Sequence, residues 1–150
     1  MENNGVFRPC GVLPALVTPF TKDEAVDEAG LRSLVQHVLP HVDGVVPCGT
    51  TGEFAYLTPD EQRHIIKTVV DEVAGRVPVV AGTGAASTRQ AVHLARAAQE
   101  AGADACLVVT PYFLHPSDKG IYQHFWTIAT SVDIPIILYN IPQVVDAYLP

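Results

Sequence analysis

Short runs of apolar and β-branched residues alternate along the chain with longer segments in which apolar side chains recur every three or four positions. Such runs are typical of buried strands, and the recurring positions are typical of amphipathic helices. The predicted strands span residues 12–17, 43–46, 77–81, 105–109 and 134–139. The four predicted helices carry apolar stripes over residues 31–39, 65–73, 91–98 and 121–129.

Local signals indicate where several of these helices begin and end. Thr58-Pro59-Asp60-Glu61 has the pattern of a capping box with proline at the first helical position, so it predicts a helix start. Ser117 is a candidate N-cap for the fourth helix, and Gly102 is a candidate end for the third.

The spacing of these elements predicts an α/β fold with a parallel sheet. Strand starts recur about every 30 residues, the length of one βα unit with its loops. Two architectures fit this repeat: a doubly wound open sheet, or part of a (β/α)8 barrel. A closed barrel has eight units and typically about 250 residues, whereas this chain has 150. We expect residues 1–150 to form a single domain.

Composition and charge narrow the class of partner. Sixteen acidic and nine basic residues give a formal net charge of −7, and no cluster of Lys or Arg reverses it locally, so we expect no nucleic-acid partner. No run approaches the roughly 18 apolar residues of a membrane span. The first residues lack the apolar region of a secretion signal. We therefore expect a soluble, cytoplasmic protein with no membrane partner.

The cysteines indicate neither a disulfide framework nor a metal site. Cys10, Cys48 and Cys106 are odd in number, far apart and without CxxC spacing. The histidines form no HExxH pair. We expect three buried, reduced thiols, no metal and no cofactor.

The loop after the second predicted strand is the most informative candidate site. Gly49 and Gly52 flank two hydroxyl residues, Thr50 and Thr51. Glycines allow a turn to direct several backbone N–H groups at one point, which suits a carboxylate or a phosphate. A plain turn leaving a strand is the alternative interpretation, since the pattern is neither a Walker loop nor a GxGxxG fingerprint.

Three other loops lie at the same edge of the predicted sheet. Gly82-Thr83-Gly84 is most simply a turn in which glycine supplies a positive φ. Residues 110–116 form an aromatic, proline-stiffened loop that includes His115. Tyr139 ends the fifth predicted strand, where its phenol either projects toward the common opening or packs in the core.

Six short motifs in the chain, taken together, resemble a known family. They are VTPF at 17–20, GTTGE at 49–53, AGTG at 81–84, VTPY at 109–112, YQHF at 122–125 and YNIP at 139–142. The chain resembles, from Gly11 to about Pro142, the class I pyruvate-dependent lyases and aldolases that include dihydrodipicolinate synthase and N-acetylneuraminate lyase. The motifs are more similar to the synthase branch.

The resemblance implies a fold, a reaction and roles for individual residues. It implies the N-terminal part of a (β/α)8 TIM barrel, with about five strands and four helices and with the chain ending before strand six. Full-length members are homo-oligomers, tetramers or dimers, that bind pyruvate as a Schiff base on a lysine and use an aldehyde as second substrate. By resemblance, Thr50 and Thr51, with Gly49 and Gly52, hold the pyruvate carboxylate, while Tyr139 and Thr50 relay protons.

The chain also departs from the family pattern. Phe113 stands where the relay has a second tyrosine, although Tyr112 is adjacent. Val144 stands where the synthase has an arginine for the aldehyde's carboxylate, and Val145-Asp146 replaces Thr-Gly.

The Schiff-base lysine of the family would lie beyond Pro150. Lys22, Lys67 and Lys119 are the chain's lysines, and none is placed to lose its proton near neutral pH. We therefore expect the chain alone to be inactive. The alternatives are a non-catalytic partial barrel acting as an interaction subunit, and an open-sheet phosphate binder that uses residues 49–53.

Overall fold

Four α-helices and three β-strands lie in residues 7–145 and 149, the part of the chain that the computed structural model describes. The helices are α1 (Glu28–Val38), α2 (Pro59–Val73), α3 (Thr88–Ala101) and α4 (Asp118–Ala129). The strands are β1 (Val80–Gly82), β2 (Ala105–Val109) and β3 (Ile136–Tyr139). All four helices predicted from apolar periodicity are confirmed.

The predicted helix ends are also confirmed. Thr58 and Glu61 form a reciprocal capping box, since the Thr58 hydroxyl accepts from the Glu61 backbone N–H and the Glu61 carboxylate accepts from the Thr58 backbone N–H at 2.7 Å. The Ser117 hydroxyl caps α4 by accepting from the Gly120 N–H. Gly102 ends α3 with φ +93°, a backbone conformation that glycine adopts without steric cost.

The sheet is parallel, with its strands in chain order β1-β2-β3. Two of the five predicted strands do not form strands: residues 12–17 and 43–46 are joined by isolated parallel bridges, Ala15 to Val46 and Val45 to Val79. These bridges nevertheless continue the sheet in chain order, because Leu16 N–H donates to the Val46 carbonyl at 2.9 Å.

Proline accounts for much of the difference between predicted and observed strand bounds. The predicted strand 77–81 contains Pro78, and β1 begins two residues later at Val80. The predicted strand 134–139 contains Pro135, and β3 begins at Ile136. Pro14 lies in the first predicted strand. A proline has no N–H to donate to a ladder, so regular pairing starts after it.

The helices pack side by side in chain order, α1 on α2, α2 on α3 and α3 on α4, so they cover one face of the sheet. A doubly wound sheet would place helices on both faces and reverse its strand order. Consecutive βα units of a (β/α)8 barrel have a strand order without reversal, and their helices cover one face of the sheet. The structure thus excludes the doubly wound alternative for the described residues.

Two hydrophobic clusters lie on opposite faces of the sheet. The larger cluster fills the space between the sheet and the helices, and Cys106 and Val108 of β2 point into it. The smaller cluster lies on the inner face and contains Val46, Val80 and Ala105. This alternation along β2 follows the two-residue period of a strand.

A buried histidine joins α3 and α4. The side chain of His124 is 2% exposed, and its Nδ1 lies 2.9 Å from the Thr88 hydroxyl. Its Nε2 has no hydrogen-bond partner within the described residues. Burial lowers the pKa of His124 because it disfavours the charged imidazolium.

The outer surface between α4 and β3 is apolar and exposed. Tyr122, Trp126 and Leu138 are 63%, 54% and 48% exposed, and the first two rings stack with centroids 6.1 Å apart.

None of the helices in the described ranges is both long and apolar enough to span a bilayer.

Candidate active site

The residues that follow successive strands meet in one cleft at the carboxyl end of the sheet. Thr50 and Gly49 come from the loop after residues 43–46, Gly82 from the end of β1, Val109 from the end of β2 and Tyr139 from the end of β3. The structure therefore brings three of the predicted site residues, Gly49, Thr50 and Tyr139, to the same cleft. Parallel strands direct their carboxyl ends to one edge, which explains the convergence.

The other two predicted site residues, Thr51 and Gly52, do not line this cleft. Thr51 is exposed, and Gly52 is buried against the Leu16 carbonyl. The Gly52 N–H donates to the Gly49 carbonyl at 3.0 Å, so that donor is used within the turn. The backbone N–H groups of Thr50 and Thr51 come before the first hydrogen bond inside the turn, so the turn's internal hydrogen bonds do not use them.

Thr18 anchors this turn to the first predicted strand, a role that the sequence analysis missed. Thr18 is 7% exposed, and its hydroxyl donates to the Gly52 carbonyl at 2.7 Å. The signal was present in the VTPF motif, which places a threonine directly after residues 12–17.

Backbone strain flanks the turn on both sides. Cys48 and Glu53 adopt left-handed conformations, with φ +55° and +57°. Such conformations are uncommon in residues with a side chain and cluster at functional sites.

Gly82 allows the turn to pack against β1. A Cβ atom at this position would lie 1.9 Å from the Cys48 carbonyl oxygen. The expectation that this loop needs glycine for a positive φ is wrong, because neither Gly82 nor Gly84 adopts one. The requirement is for close approach of two backbones instead.

Tyr139 lies on the inner face of the sheet at the end of β3. It pairs directly with Val109 of β2 and follows Ile137, which packs on the inner cluster, by two residues. Tyr139 is partly buried. Two positions were predicted for it, packed in the core or directed to the opening, and its side chain does both, because it contacts the core and lines the cleft.

In the aromatic loop, Tyr112 packs against a residue that lines the cleft, whereas Phe113 is exposed. The Tyr112 ring packs edge-on against Phe54, with centroids 5.8 Å apart, and burial raises the pKa of its phenol although the Ala86 N–H bonds to it. Phe113 is 92% exposed and has φ +76°. His115 is also exposed and does not line the cleft.

A second cavity, of about 200 Å³, adjoins the cleft and shares Thr50 and Val109 with it. Val144 and Val145 form part of its wall. Asp146, which the sequence analysis named with them, lies outside the described residues.

The lysines lie away from both cavities. Lys22, Lys67 and Lys119 are exposed, and Lys67 bonds to Asp71 at 3.0 Å. Neither cavity is lined by a lysine or arginine among the described residues.

Two of the three cysteines are buried, as expected. Burial raises the pKa of the Cys48 thiol to about 12 and that of Cys106 to about 11. The expectation is wrong for Cys10, which is exposed, because it precedes the packed elements. Within residues 7–145 and 149, no group of three or more metal-ligating side chains is positioned to hold an ion.

Nearly the whole chain matches one family model. The model of the dihydrodipicolinate synthetase family matches residues 8–150. The chain belongs to this family. A 4-hydroxy-tetrahydrodipicolinate synthase of Nitrobacter hamburgensis is 54% identical over 144 residues, 95% of this chain and 48% of the relative. The chain thus spans about half the length of the curated family members it matches.

Solved structures of family members have the same fold as the described residues. Dihydrodipicolinate synthase from Aquifex aeolicus superposes with a TM-score of 0.90 at 44% identity, covering 93% of this chain and 47% of the other. A chloride-inhibited dihydrodipicolinate synthase from Acinetobacter baumannii, crystallised in complex with pyruvate, gives 0.89 at 44% identity, covering 93% and 48%.

Proposed function

We propose that this chain supplies one wall of the pyruvate site of a carbon–carbon lyase that joins pyruvate to an aldehyde. The observation that carries the proposal is that Thr50 and Tyr139 line one small cleft at the carboxyl edge of the parallel sheet. Membership of the dihydrodipicolinate synthetase family supports it, as does the pyruvate bound to the Acinetobacter relative. On this proposal, residues 1–150 are one domain that forms part of a (β/α)8 barrel.

In this site, we assign the substrate carboxylate to the turn at residues 49–52. The Thr50 hydroxyl, which lines the cleft, and the N–H groups of Thr50 and Thr51 are donors, which a carboxylate needs when it leaves water. Gly49 and Gly52 let the turn close on itself through their mutual hydrogen bond of 3.0 Å. Thr18 holds the turn in place through its bond to Gly52.

Tyr139 moves the proton in the proposed chemistry. A phenol passes a proton along a chain of hydroxyl groups only when a neighbouring hydroxyl can take or supply it. Thr50 lines the same cleft, and among the described residues that line it Thr50 supplies the hydroxyl beside that of Tyr139. Tyr112, whose pKa is raised by burial, lies in the adjoining cavity and is not needed for this step.

The amine that captures pyruvate is not one of this chain's lysines. Such an amine must be partly neutral at pH 7, which requires burial or a nearby cation. All three lysines are exposed, and Lys67 forms an ion pair with Asp71 at 3.0 Å. We infer that residues 1–150 alone do not form the imine and are inactive.

Reductive trapping tests the capture of pyruvate. The 150-residue polypeptide and the polypeptide that its gene encodes are each incubated with pyruvate and borohydride, and their intact masses are measured. We expect no pyruvate adduct on the 150-residue polypeptide. An adduct on Lys22, Lys67 or Lys119 would refute the assignment of the amine.

Two substitutions test the cleft in the gene-encoded polypeptide. Tyr139→Phe and Thr50→Val each remove one hydroxyl, and we expect kcat to fall by about 10²-fold or more. Tyr122→Phe is the matched control, because this exposed tyrosine lies on the outer surface of α4. Equal activity of Tyr139→Phe and wild type would contradict the proposed role of the phenol.

Homo-oligomer formation and the interaction-subunit alternative stay predictions. Sedimentation velocity of the purified polypeptide tests both, since a defined dimer or tetramer with pyruvate-dependent activity supports the enzyme. A defined oligomer that neither traps nor binds pyruvate supports the interaction subunit instead.

A further inference from the structure

The outward face of α3 carries a basic patch that the linear sequence does not show. The patch consists of Arg89, His93 and Arg96, which are four and three positions apart, so the helix places them on one face. All three side chains are exposed. Because the chain as a whole has a formal net charge of −7, the patch reverses the sign of the charge locally.

Cations on the neighbouring helices are paired with acids, whereas those of the patch are not. Arg32 on α1 pairs with Glu28 at 2.8 Å, and Lys67 on α2 pairs with Asp71 at 3.0 Å. The one acid of α3 is Glu100, near its carboxyl end. Among the described residues, no acid forms an ion pair with any of the three basic side chains of the patch.

The unpaired charges of the patch oppose one another. Like charges three or four positions apart on a helix repel and destabilise it. Packing does not explain their placement, because the three side chains are exposed rather than part of the core. A bound anion would relieve the repulsion and would supply the partner that these cations lack.

A groove of about 510 Å³ lies along the patch, between α3 and α4. Thr88, Val92 and the patch line it from α3, and Thr127 lines it from α4. Every charged residue among the described residues that line the groove is basic. Its volume is in the range that accommodates a small molecule. None of these residues lines the cleft or the cavity beside it.

The two arginines of the patch are separated along the groove. Seven positions on a helix correspond to a rise of about 10 Å, so the two side chains begin two turns apart. The Arg96 Nε donates to the Ser131 carbonyl at 3.4 Å, which leaves the other N–H groups of this guanidinium for a ligand. Each guanidinium can hold a phosphate or a carboxylate through two parallel N–H groups.

We propose that the groove between α3 and α4 binds a small molecule that carries an anionic group, phosphate or carboxylate, at each end. One group binds Arg89 and the other binds Arg96, with His93 between them. A long polyanion such as a nucleic acid is disfavoured, because it would extend beyond the patch onto a chain of net negative charge. The inference does not depend on the proposed function, because the groove and the cleft have no lining residue in common.

Isothermal titration calorimetry of the gene-encoded polypeptide at low ionic strength tests the inference with three probes. Fructose 1,6-bisphosphate carries a phosphate at each end, octanedioate carries a carboxylate at each end, and fructose 6-phosphate carries a single phosphate. We expect at least one of the two-ended probes to bind about tenfold or more tightly than fructose 6-phosphate, because it engages both arginines. The tighter of the two identifies the preferred anion. If neither two-ended probe binds, or if fructose 6-phosphate binds equally well, the inference is rejected.

Substitutions locate the binding site of the better probe. Arg89→Gln and Arg96→Gln each remove one guanidinium from the patch, and we expect each to weaken binding about tenfold or more. Arg63→Gln is the matched control, because Arg63 is an exposed arginine on α2 and its loss changes the net charge equally. Equal weakening by all three variants would show a general effect of charge. Unchanged binding in Arg89→Gln and Arg96→Gln would place the ligand elsewhere, and either result overturns the inference.

Discussion

Replacing Gly82 with alanine forces the backbone of β1 and the turn at Cys48 apart. The new Cβ would lie 1.9 Å from the Cys48 carbonyl oxygen, 2.5 Å from the carbonyl carbon and 3.0 Å from the Gly49 nitrogen. All three are backbone atoms, so no side-chain rotation relieves the overlap. Ordinary contacts begin near 3.4 Å, so one of the two segments must move by about 1.5 Å.

The expected cost of Gly82→Ala is about 3 kcal/mol, the upper part of the range for adding a methyl group to a packed interior. The upper part applies because the moving segment includes Cys48, whose left-handed backbone has little freedom to adjust. In a domain of about 150 residues this corresponds to a fall in Tm of roughly 6–12 °C. Urea denaturation and calorimetry measure both quantities.

Gly49→Ala is the matched control for this measurement. It is the same substitution in the turn against which Gly82 packs, but its Cβ would meet no atom closer than 3.9 Å and its φ is −81°. We expect a change within about 0.5 kcal/mol, as for substitutions that create no overlap. The argument is refuted if Gly82→Ala leaves the urea midpoint unchanged, or if Gly49→Ala costs as much.

Three further outcomes follow from the structure. Thr58→Ala removes the capping hydroxyl of α2 and should cost about 1 kcal/mol in urea denaturation, while Thr58→Ser should not. Ellman's reagent should modify exposed Cys10 rapidly but Cys48 and Cys106 only on unfolding; equal rates would contradict their burial. His124 has a lowered pKa in the folded state, so the unfolded state binds its proton first as pH falls. Stability should therefore fall below about pH 6.5, with a slope of at most about 1.4 kcal/mol per pH unit, and His124→Gln should remove that component.

The helices could be predicted because their signals are local. The capping box at Thr58 and Glu61, the Ser117 cap and the Gly102 terminus each depend on residues within one turn of the helix end. Apolar periodicity then assigns the buried face without knowledge of the neighbours.

Strand extents could not be predicted as well, because pairing depends on the neighbouring segment. Pro78 and Pro135 were visible, but apolar runs alone did not show how far the ladder would extend beyond them. The meeting of Thr50 and Tyr139 was predictable from topology, since both lie at the carboxyl ends of segments that run parallel. The close approach at Gly82 was not, because it is made with a backbone segment from another unit.

Cys10 shows a different limit. A thiol is usually buried, but its burial depends on what packs over it, and residues beside Cys10 are themselves exposed. Thr18 could have been noticed, since its motif was, but its hydrogen bond to Gly52 depends on the loop geometry.

The position of Tyr139 on β3 has a mechanical consequence. Within the described residues, β3 is the last strand of the sheet and is hydrogen-bonded to β2 along one side only. The backbone that carries the phenol is therefore hydrogen-bonded on one side, whereas the backbone of a central strand is hydrogen-bonded on both sides. A polypeptide that pairs along the open side of β3 would restrict the backbone that carries this hydroxyl, so the position of the hydroxyl in the cleft depends on pairing along that side.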